Sequence, residues 1–395
     1  MSITFGDMSM ELQVIRTIHP VGQGAFYTET LHRPGCINDK HIVYDCGVKP
    51  YSRRLEEEIC NFLPENSTID VLFISHFHTD HVNGIKLLGK KYNIKYVVLP
   101  QIKDYEWFYI IENYLTTGNA DVNIVSNVRK SIGDAKIIEV APIGGDENVK
   151  VSDESSQFDN VGDSIFNGFS PLVIDNRFFA IWHYIVVNPL KKCDLDALRT
   201  ALENIDYEDR KLTIDDLQDP NILTSVRKDL QEVYSREFKG ENEYSMCVLS
   251  ELADRTRYYT YSGYNVKNPR CRECWHYMHY EESFHRRDVD GGLYCGDADF
   301  MHCDTLECLK KRLTGREKFV GLLQLPHHGS KENFSIDMLN WFNHVRVSFA
   351  CYGSPNRYNH PSNEVMGLAD TYSCAIGVNQ YKSNVLTERI DVKRR

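Results

Sequence analysis

Along the first third of the chain the apolar positions switch between two rhythms. Leu12 to Ile18 alternates apolar and polar residues, the period of a half-buried strand, and Val21-Gly22-Gln23-Gly24 follows as a tight turn. His41 to Tyr44 is a short apolar strand ending at Asp45-Cys46-Gly47. Arg53 to Leu63 places Leu55, Ile59, Phe62 and Leu63 at helical spacing, and Asp70 to Ile74 returns to a buried strand running into Ser75-His76. Val82 to Lys91 predicts a helix, and Tyr96 to Leu99 a strand stopped by Pro100. Strand and helix in alternation argue for an α/β fold.

The middle of the chain breaks this pattern. Residues 144–163 are polar and rich in Gly, Ser and Asp, which predicts a loop. From Asp194 to Phe238 the pattern is acidic and helical, with Leu195, Leu198 and Leu202, then Leu223, Val226 and Leu230. Residues 145–240 therefore read as a helical insertion rather than a separate catalytic domain. The β/α rhythm resumes at Ser245–Leu252, Leu293–Cys295, Val320–Leu325 and Arg346–Cys351, with helices predicted at Leu306–Leu313 and Ile336–Phe342.

Composition narrows the class. The longest apolar stretch, Phe178 to Val187, is ten residues and contains His183. That is far short of the ~20 needed to cross a bilayer, so no membrane association is expected. The N-terminal residues lack the basic-then-apolar pattern of a signal peptide, which points to the cytoplasm. The 12 cysteines are then expected as free thiols or metal ligands. Lys+Arg of 45 against Asp+Glu of 56 gives a net charge of −11, which disfavours a globally basic nucleic-acid binder but permits a local basic groove. Histidine stands out, with 15 residues, several of them clustered.

The strongest cluster is His76-Phe77-His78-Thr79-Asp80-His81, where a predicted buried strand ends and a helix begins. Three imidazoles and a carboxylate on one turn can face one volume. They suit Zn²⁺, Mn²⁺ or Fe²⁺ better than Ca²⁺ or Mg²⁺, which prefer all-oxygen shells.

This His-x-His-x-Asp-His pattern resembles the metallo-β-lactamase superfamily, and Asn83-Gly84 extends the match. Val21–Gly24, Tyr44–Gly47 and Tyr294-Cys295-Gly296-Asp297 resemble further segments of that superfamily, in order. A narrower resemblance is to the hydrolase domain of the bacterial competence DNA-uptake channel (ComEC type) and its stand-alone relatives. Leu325-Pro326-His327-His328-Gly329-Ser330-Lys331, Asn356-Arg357-Tyr358-Asn359-His360-Pro361 and Asn242–Leu249 carry it. Ala25 departs from that group, which usually has Asp after Gly-Gln-Gly, and the channel's membrane helices are missing, so only hydrolysis is implied.

The resemblance implies a four-layer αββα metallo-β-lactamase-like sandwich. Residues 1–395 then form one hydrolase domain, enlarged by the 145–240 insertion and a Tyr/Cys/His-rich one at 255–292. It also implies two divalent metal ions, Zn or Mn. His76 and His78 would hold one, Asp80 and His81 the other, with Asp297 bridging. Two such ions clamp a phosphoryl centre, lower the pKa of a shared water and steady the leaving oxygen. The third histidine of the first site is open. His183 is a candidate, but its flanks read as a buried strand and favour a core histidine.

The later histidines allow two assignments. In nucleases of the superfamily, the residue matching His360 completes the second site while His327 and His328 protonate the leaving group. In its small hydrolases the residue matching His328 is the ligand. Ser330 and Lys331, before a predicted helix, are candidates for binding a phosphate oxygen, an exposed turn being the alternative.

Weaker signals remain. Cys271, Cys274, His276 and His279 could nucleate a structural zinc, although the spacing departs from ordinary zinc fingers. Tyr258, Tyr259, Tyr261 and Tyr264 beside Arg255 and Arg257 could stack bases, but tyrosines of a half-buried strand explain them as well. Lys310–Arg312 and the Lys393-Arg394-Arg395 tail read as solvated surface. The functional expectation is a metal-dependent hydrolase, foremost a phosphodiesterase or nuclease acting through a metal-bound hydroxide. The alternatives are a small-molecule ester, lactone or thioester hydrolase, or a metal-bearing effector subunit of a prokaryotic defence system with a protein partner from its operon.

Overall fold

The computed structural model describes residues 10–101, 111, 114–115, 124–143, 164–166, 171–172, 176–189, 195–237, 245–266, 285–286, 288–301, 304–355 and 358–395. Strands β1 (Met10–Ile18), β2 (Gly24–His32) and β3 (Lys40–Val48) form an antiparallel meander. From β3 the sheet continues in parallel through β4 (Thr68–Phe73), β5 (Asn93–Pro100), β6 (Lys136–Val140) and β7 (Ser164–Phe166). Helix α1 (Arg53–Phe62) crosses from β3 to β4, α2 (Thr79–Val82) and α3 (Ile85–Lys91) from β4 to β5, and α4 (Ile124–Ser131) from β5 to β6. Helix α1 starts where the Ser52 side chain accepts the Leu55 N–H, and it turns Leu55 and Ile59 inward.

The second sheet is built from β8 (Trp182–Val187), β11 (Cys247–Leu252), β14 (Gly291–Tyr294), β15 (Val320–Gln324), β16 (Val347–Cys351) and β17 (Cys374–Val378), in the order β17-β16-β15-β14-β11-β8. Between β8 and β11 lie α5 (Leu195–Leu202), a small hairpin of β9 (Asp206–Tyr207) and β10 (Arg210–Lys211), α6 (Pro220–Ser225) and α7 (Arg227–Glu237). Helices α8 (Thr305–Leu313), α9 (Ile336–Trp341) and α10 (Asn363–Tyr372) cover this sheet.

Alternation along the central strands creates the layers. In β4, Val71 and Phe73 join the core shared by both sheets, while Leu72 joins the core beneath the helices of the first sheet. In β15, Leu322 faces the shared core and Leu323 the outer one. Both faces of these parallel strands are covered, hence their nearly continuous apolar runs. The result is the four-layer α/β sandwich, αββα.

Two expectations change. In the span 145–240, β7 and β8 are strands of the two main sheets, and the inserted helices begin at Leu195, packing Leu198, Leu202, Leu223 and Leu230 on the first sheet's outer core. In the span 255–292, β12 (Tyr258–Val266) and β13 (His285–Arg286) extend the first sheet. Cys271, Cys274, His276 and His279 lie outside the described residues, as do the loop 144–163, Asn242, and Asn356-Arg357. The basic tail does expose Arg394 and Arg395, as expected of solvated surface, but its backbone is part of the sheet. Leu386–Arg394 forms β18, inserted between β12 and β1 with Ile390 and Val392 fully buried.

Its inward Glu388 explains why the tail looks polar in sequence. The carboxylate meets Arg16 of β1, whose guanidinium is buried between the sheets. Arg16 Nε donates to Glu29 at 2.9 Å, and Nη1 donates to Glu388 at 2.7 Å and the Asp290 carbonyl at 2.8 Å. Nη2 donates to the Ser250 carbonyl at 2.7 Å. Occupied donors on all three nitrogens are what make a buried guanidinium tolerable.

Candidate metal centre

The centre forms where parallel strands of both sheets end, the usual place for an α/β site. After β4 the chain turns through Ser75 and His76, His78 precedes α2, and Asp80 and His81 lie within that single helical turn. The turn is seated against glycines of β2 and β3. A Cβ on Gly24 would stand 2.8 Å from the Asp80 carbonyl oxygen, and one on Gly47 2.6 Å from the His81 nitrogen. This contact explains the Gly-Gln-Gly and Asp-Cys-Gly segments of the sequence.

The second sheet supplies the remaining groups. Asp297 follows β14 across Gly296, which has φ 54 and packs against Ser75 and Ser245. His327 and His328 follow β15 in a short 3₁₀ turn and themselves have φ 46 and 57. Asp45, at φ 54, completes a set of left-handed residues around one volume. Such concentrated backbone strain is characteristic of functional sites.

Two groups of donor atoms result, each within 4.8 Å internally: His76, His78 and Asp297, and Asp80, His81 and His328. Asp297 spans both. Its Oδ2 is 3.7 Å from His76 Nε2, and its Oδ1 is 3.0 Å from His81 Nε2 and 3.8 Å from His328 Nε2. His328 Nε2 is 3.4 Å from Asp80 Oδ2.

The far nitrogen of each buried ring is held. His81 Nδ1 donates to Asp45 at 2.8 Å, and His328 Nδ1 to the Cys351 carbonyl at 3.0 Å. His76 Nδ1 lies 2.9 Å from Ser75 Oγ and 3.1 Å from Ser245 Oγ. Meanwhile Nε2 of His76, His81 and His328 and Oδ1 of Asp297 are buried with no hydrogen bond of good geometry. Oriented rings with orphaned, converging Nε2 atoms are what metal ligands look like, so the residues fit the divalent ions that the sequence implies.

Electrostatics agree. Burial opposes ionisation of Asp80 and Asp297, yet the imidazoles of His81 and His328 around them hold both carboxyls well below the usual carboxylate range. Burial and its two imidazole neighbours push His76 down, which keeps a donor lone pair available. Burial also lowers His81, but Asp297 and Asp45 outweigh it and raise that ring.

His328, not His360, stands with Asp80 and His81. His360 is half-buried, its ring 5.5 Å from that of His327, and burial next to His327 and His328 lowers it to about 4. His327 is partly open, its side chain 31% exposed, with Nδ1 held 2.7 Å from Asn333 Oδ1 and Nε2 3.7 Å from Asp297. Ser330 is buried and its Oγ accepts the Glu332 N–H, while the Lys331 ammonium pairs with Glu364. Both are thus engaged by protein groups. His183 of β8 is a satisfied core histidine, 3.2 Å from Glu251.

Asp45, Ser75, Ser245 and Asn333 also serve the centre, holding the rings of His81, His76 and His327. A strand-end Asp followed by Cys-Gly was a usable signal for the first. The other three are ordinary polar residues whose role depends on folded proximity.

The comparisons bear on this geometry. Residues 36–182 match the family model of the metallo-β-lactamase superfamily, a span that holds His76 to His81. This stretch, little more than a third of the chain, is thus similar to the metallo-β-lactamase superfamily. Among solved structures, a candidate metallo-β-lactamase of Thermotoga maritima is similar at 16% identity over 32% of this chain and 59% of its own, with TM-score 0.22. The metallo-β-lactamase fold protein YhfI from Bacillus subtilis is similar at 12% identity over 45% and 54%, with TM-score 0.20. Unliganded yeast PDE1 is similar at 10% identity over 95% and 99%, with TM-score 0.36. The chain spans a little over half the length of the first two. No curated protein matches the sequence. Among the described residues no helix is long and apolar enough to cross a membrane.

Proposed function

We propose that the protein is a metal-dependent phosphodiesterase whose substrate is a nucleic acid or another phosphodiester. The supporting observation is Asp297, reached by His76 Nε2 on one side and by His81 and His328 Nε2 on the other, so that two donor groups share one carboxylate. Two divalent ions held there supply Lewis acidity toward a phosphoryl oxygen and acidify water. The chain's own residues do the rest. Asp80, His81, His328, His76 and His78 hold the ions, and Asp45, Ser75, Ser245 and the Cys351 carbonyl fix the rings.

His327 is the candidate acid. Asn333 Oδ1 accepts from its Nδ1, which turns Nε2 toward the donor groups on their open side. A protonated Nε2 there can pass its proton to the leaving oxygen. The Leu325–Lys331 and Tyr358–Pro361 segments, which resemble the competence-channel hydrolase group, support the phosphodiester reading. One observation favours a second reading, cleavage of a small ester, lactone or thioester. His328 stands with Asp80 and His81, the placement that resemblance to the superfamily's small hydrolases implies.

With Mn²⁺ or Zn²⁺ the purified chain is expected to hydrolyse bis-p-nitrophenyl phosphate. The Asp80→Ala, His81→Ala double variant should abolish turnover. Rapid lactone or thioester hydrolysis with no turnover of any phosphodiester would overturn the first reading in favour of the second.

A further inference from the structure

We infer that a wall of loops beside the His76–His81 turn holds a single-stranded nucleic acid. Tyr51 and Tyr381 stack its bases, and Lys49 and Lys382 meet its phosphates. The inference rests on the phosphodiesterase reading above and names the substrate, and the surface that grips it, within that reading.

The wall starts at the candidate metal centre. Val48, the last residue of β3, is clamped by Asn83, which directly follows α2. Its N–H donates to Asn83 Oδ1 at 3.1 Å, and its carbonyl accepts from Asn83 Nδ2 at 2.7 Å. Lys49 and Tyr51 therefore leave the sheet beside the helical turn of Asp80 and His81. The Lys49 N–H donates to the Gln23 carbonyl at 2.7 Å, which joins this exit to the turn between β1 and β2. Gln23 Oε1 accepts the Gly353 N–H at 3.4 Å, beyond the end of β16. The Ser354 N–H donates to Gln380 Oε1 at 2.9 Å, beyond the end of β17. Four loops are thus joined from the ligand-bearing turn out to Tyr381.

Open aromatic surface is concentrated at the same edge. Four of the eight large apolar side chains exposed among the described residues lie in loops that follow β3, β14, β16 and β17: Tyr51, Met301, Tyr358 and Tyr381. These strand ends surround the centre, so a substrate bound there covers them. Tyr51 is 49% exposed and Tyr381 56%, which leaves ring surface for a flat partner. The Tyr381 loop is also fixed in place, since the Tyr381 N–H and Asn384 Nδ2 both donate to Asn379 Oδ1 at 3.0 Å. A ring on a stiff loop loses little freedom when a base stacks on it.

Charge separates a nucleic acid from an apolar ester. The net charge of −11 gives no general attraction for phosphates, so the cations that meet them must stand locally. Each of the two tyrosines has a lysine within two positions, Lys49 before Tyr51 and Lys382 after Tyr381, and Lys382 is exposed. Aromatic rings alternating with cations match bases alternating with phosphates, the pattern that grips single strands with little regard to sequence. A duplex keeps its bases stacked on one another and offers the tyrosines no open face.

The test is binding, read by fluorescence anisotropy in EDTA so that nothing is cleaved. The probes are labelled oligothymidylate and oligouridylate of about twelve nucleotides. Single strands should bind saturably, and a duplex of the same length about fivefold more weakly or worse; a preference between the two probes names the sugar. Tyr51→Ala and Tyr381→Ala should each weaken single-strand binding about fivefold or more, while Tyr381→Phe, which keeps the ring, should bind like wild type. Lys49→Gln and Lys382→Gln should each lower the salt dependence by about one phosphate contact. Tyr372→Ala, an exposed tyrosine at the other end of β17, is the control and should change nothing. No saturable binding, a duplex bound as tightly as a single strand, either tyrosine-to-alanine variant binding like wild type, Tyr381→Phe as weak as Tyr381→Ala, or an unchanged salt slope in both lysine variants would overturn the inference. Binding without phosphodiester turnover by the metal-loaded chain would instead sink the proposed function and leave the binding surface standing. Turnover of bis-p-nitrophenyl phosphate without oligonucleotide binding would sink only this inference.

Discussion

Replacing Asp45 measures how far the centre depends on a residue that touches no metal. Asp45 is fully buried at φ 54 and accepts three hydrogen bonds: Ser75 N–H at 2.7 Å, Ser75 Oγ–H at 2.6 Å and His81 Nδ1–H at 2.8 Å. Asparagine keeps the shape and tolerates the left-handed backbone. However, its amide nitrogen then faces the His81 Nδ1–H, donor against donor. The ring must lose that bond or move its proton to Nε2, the atom a metal needs. Loss of a supporting partner of this kind costs about 10- to 100-fold in metal affinity, or about 1.4–2.8 kcal/mol at 1.4 per decade. Asp45→Ala adds a left-handed backbone cost of about 1–2 kcal/mol and strands three buried donors, for a total of about 3–5 kcal/mol in the metal-free protein. Competition with a chromophoric chelator reads the first effect, and urea unfolding of the metal-free chain reads the second. An Asp45→Asn protein that binds Zn²⁺ within twofold of wild type would refute the reasoning.

Gly296→Ala puts a Cβ 2.8 Å from the Ser75 and Ser245 side chains and should displace Asp297 and abolish retained metal, whereas Gly35→Ala, with nothing within 4 Å of its Cβ, should leave metal content unchanged. Elemental analysis of the two purified variants compares them, and equal metal content would count against the packing argument. His183→Gln should likewise retain all bound metal, since His183 serves Glu251. Burial tends to raise the Glu251 carboxyl, but the hydrogen bond from His183 and the charges of Arg316 and Arg255 hold it below the ordinary 4.5. Its ionised form therefore favours folding. That contribution is complete above the unfolded value of about 4.3 and is lost as pH falls through the lower folded value. Urea unfolding of Glu251→Gln should accordingly lack part of the acid-side stability loss seen in wild type, and superimposable profiles would contradict this.

How much of the molecule could be read from its sequence depends on how local each feature is. His76 to His81 is legible because one strand end, one turn and one helical turn carry four candidate ligands. Asp297 is legible only through the resemblance of Tyr294-Cys295-Gly296-Asp297 to a strand end of the superfamily. The strand β18 is not, because Thr387, Arg389, Asp391 and Lys393 occupy its outward positions and the inward Glu388 breaks the apolar alternation. That glutamate makes sense only beside Arg16, 372 residues away. The choice between His328 and His360 was equally closed to inspection, since each follows a predicted strand. Only the left-handed turn after β15 decides which ring reaches Asp80.

The most direct measurement of the central claim is bis-p-nitrophenyl phosphate turnover by the chain loaded with Mn²⁺ or Zn²⁺, beside its Asp297→Asn variant with bound metal counted in both. If the two donor groups act together through their shared carboxylate, wild type turns over and Asp297→Asn loses activity and bound metal. A metal-replete wild type that cleaves no phosphodiester, or an Asp297→Asn protein as active as wild type, would contradict it.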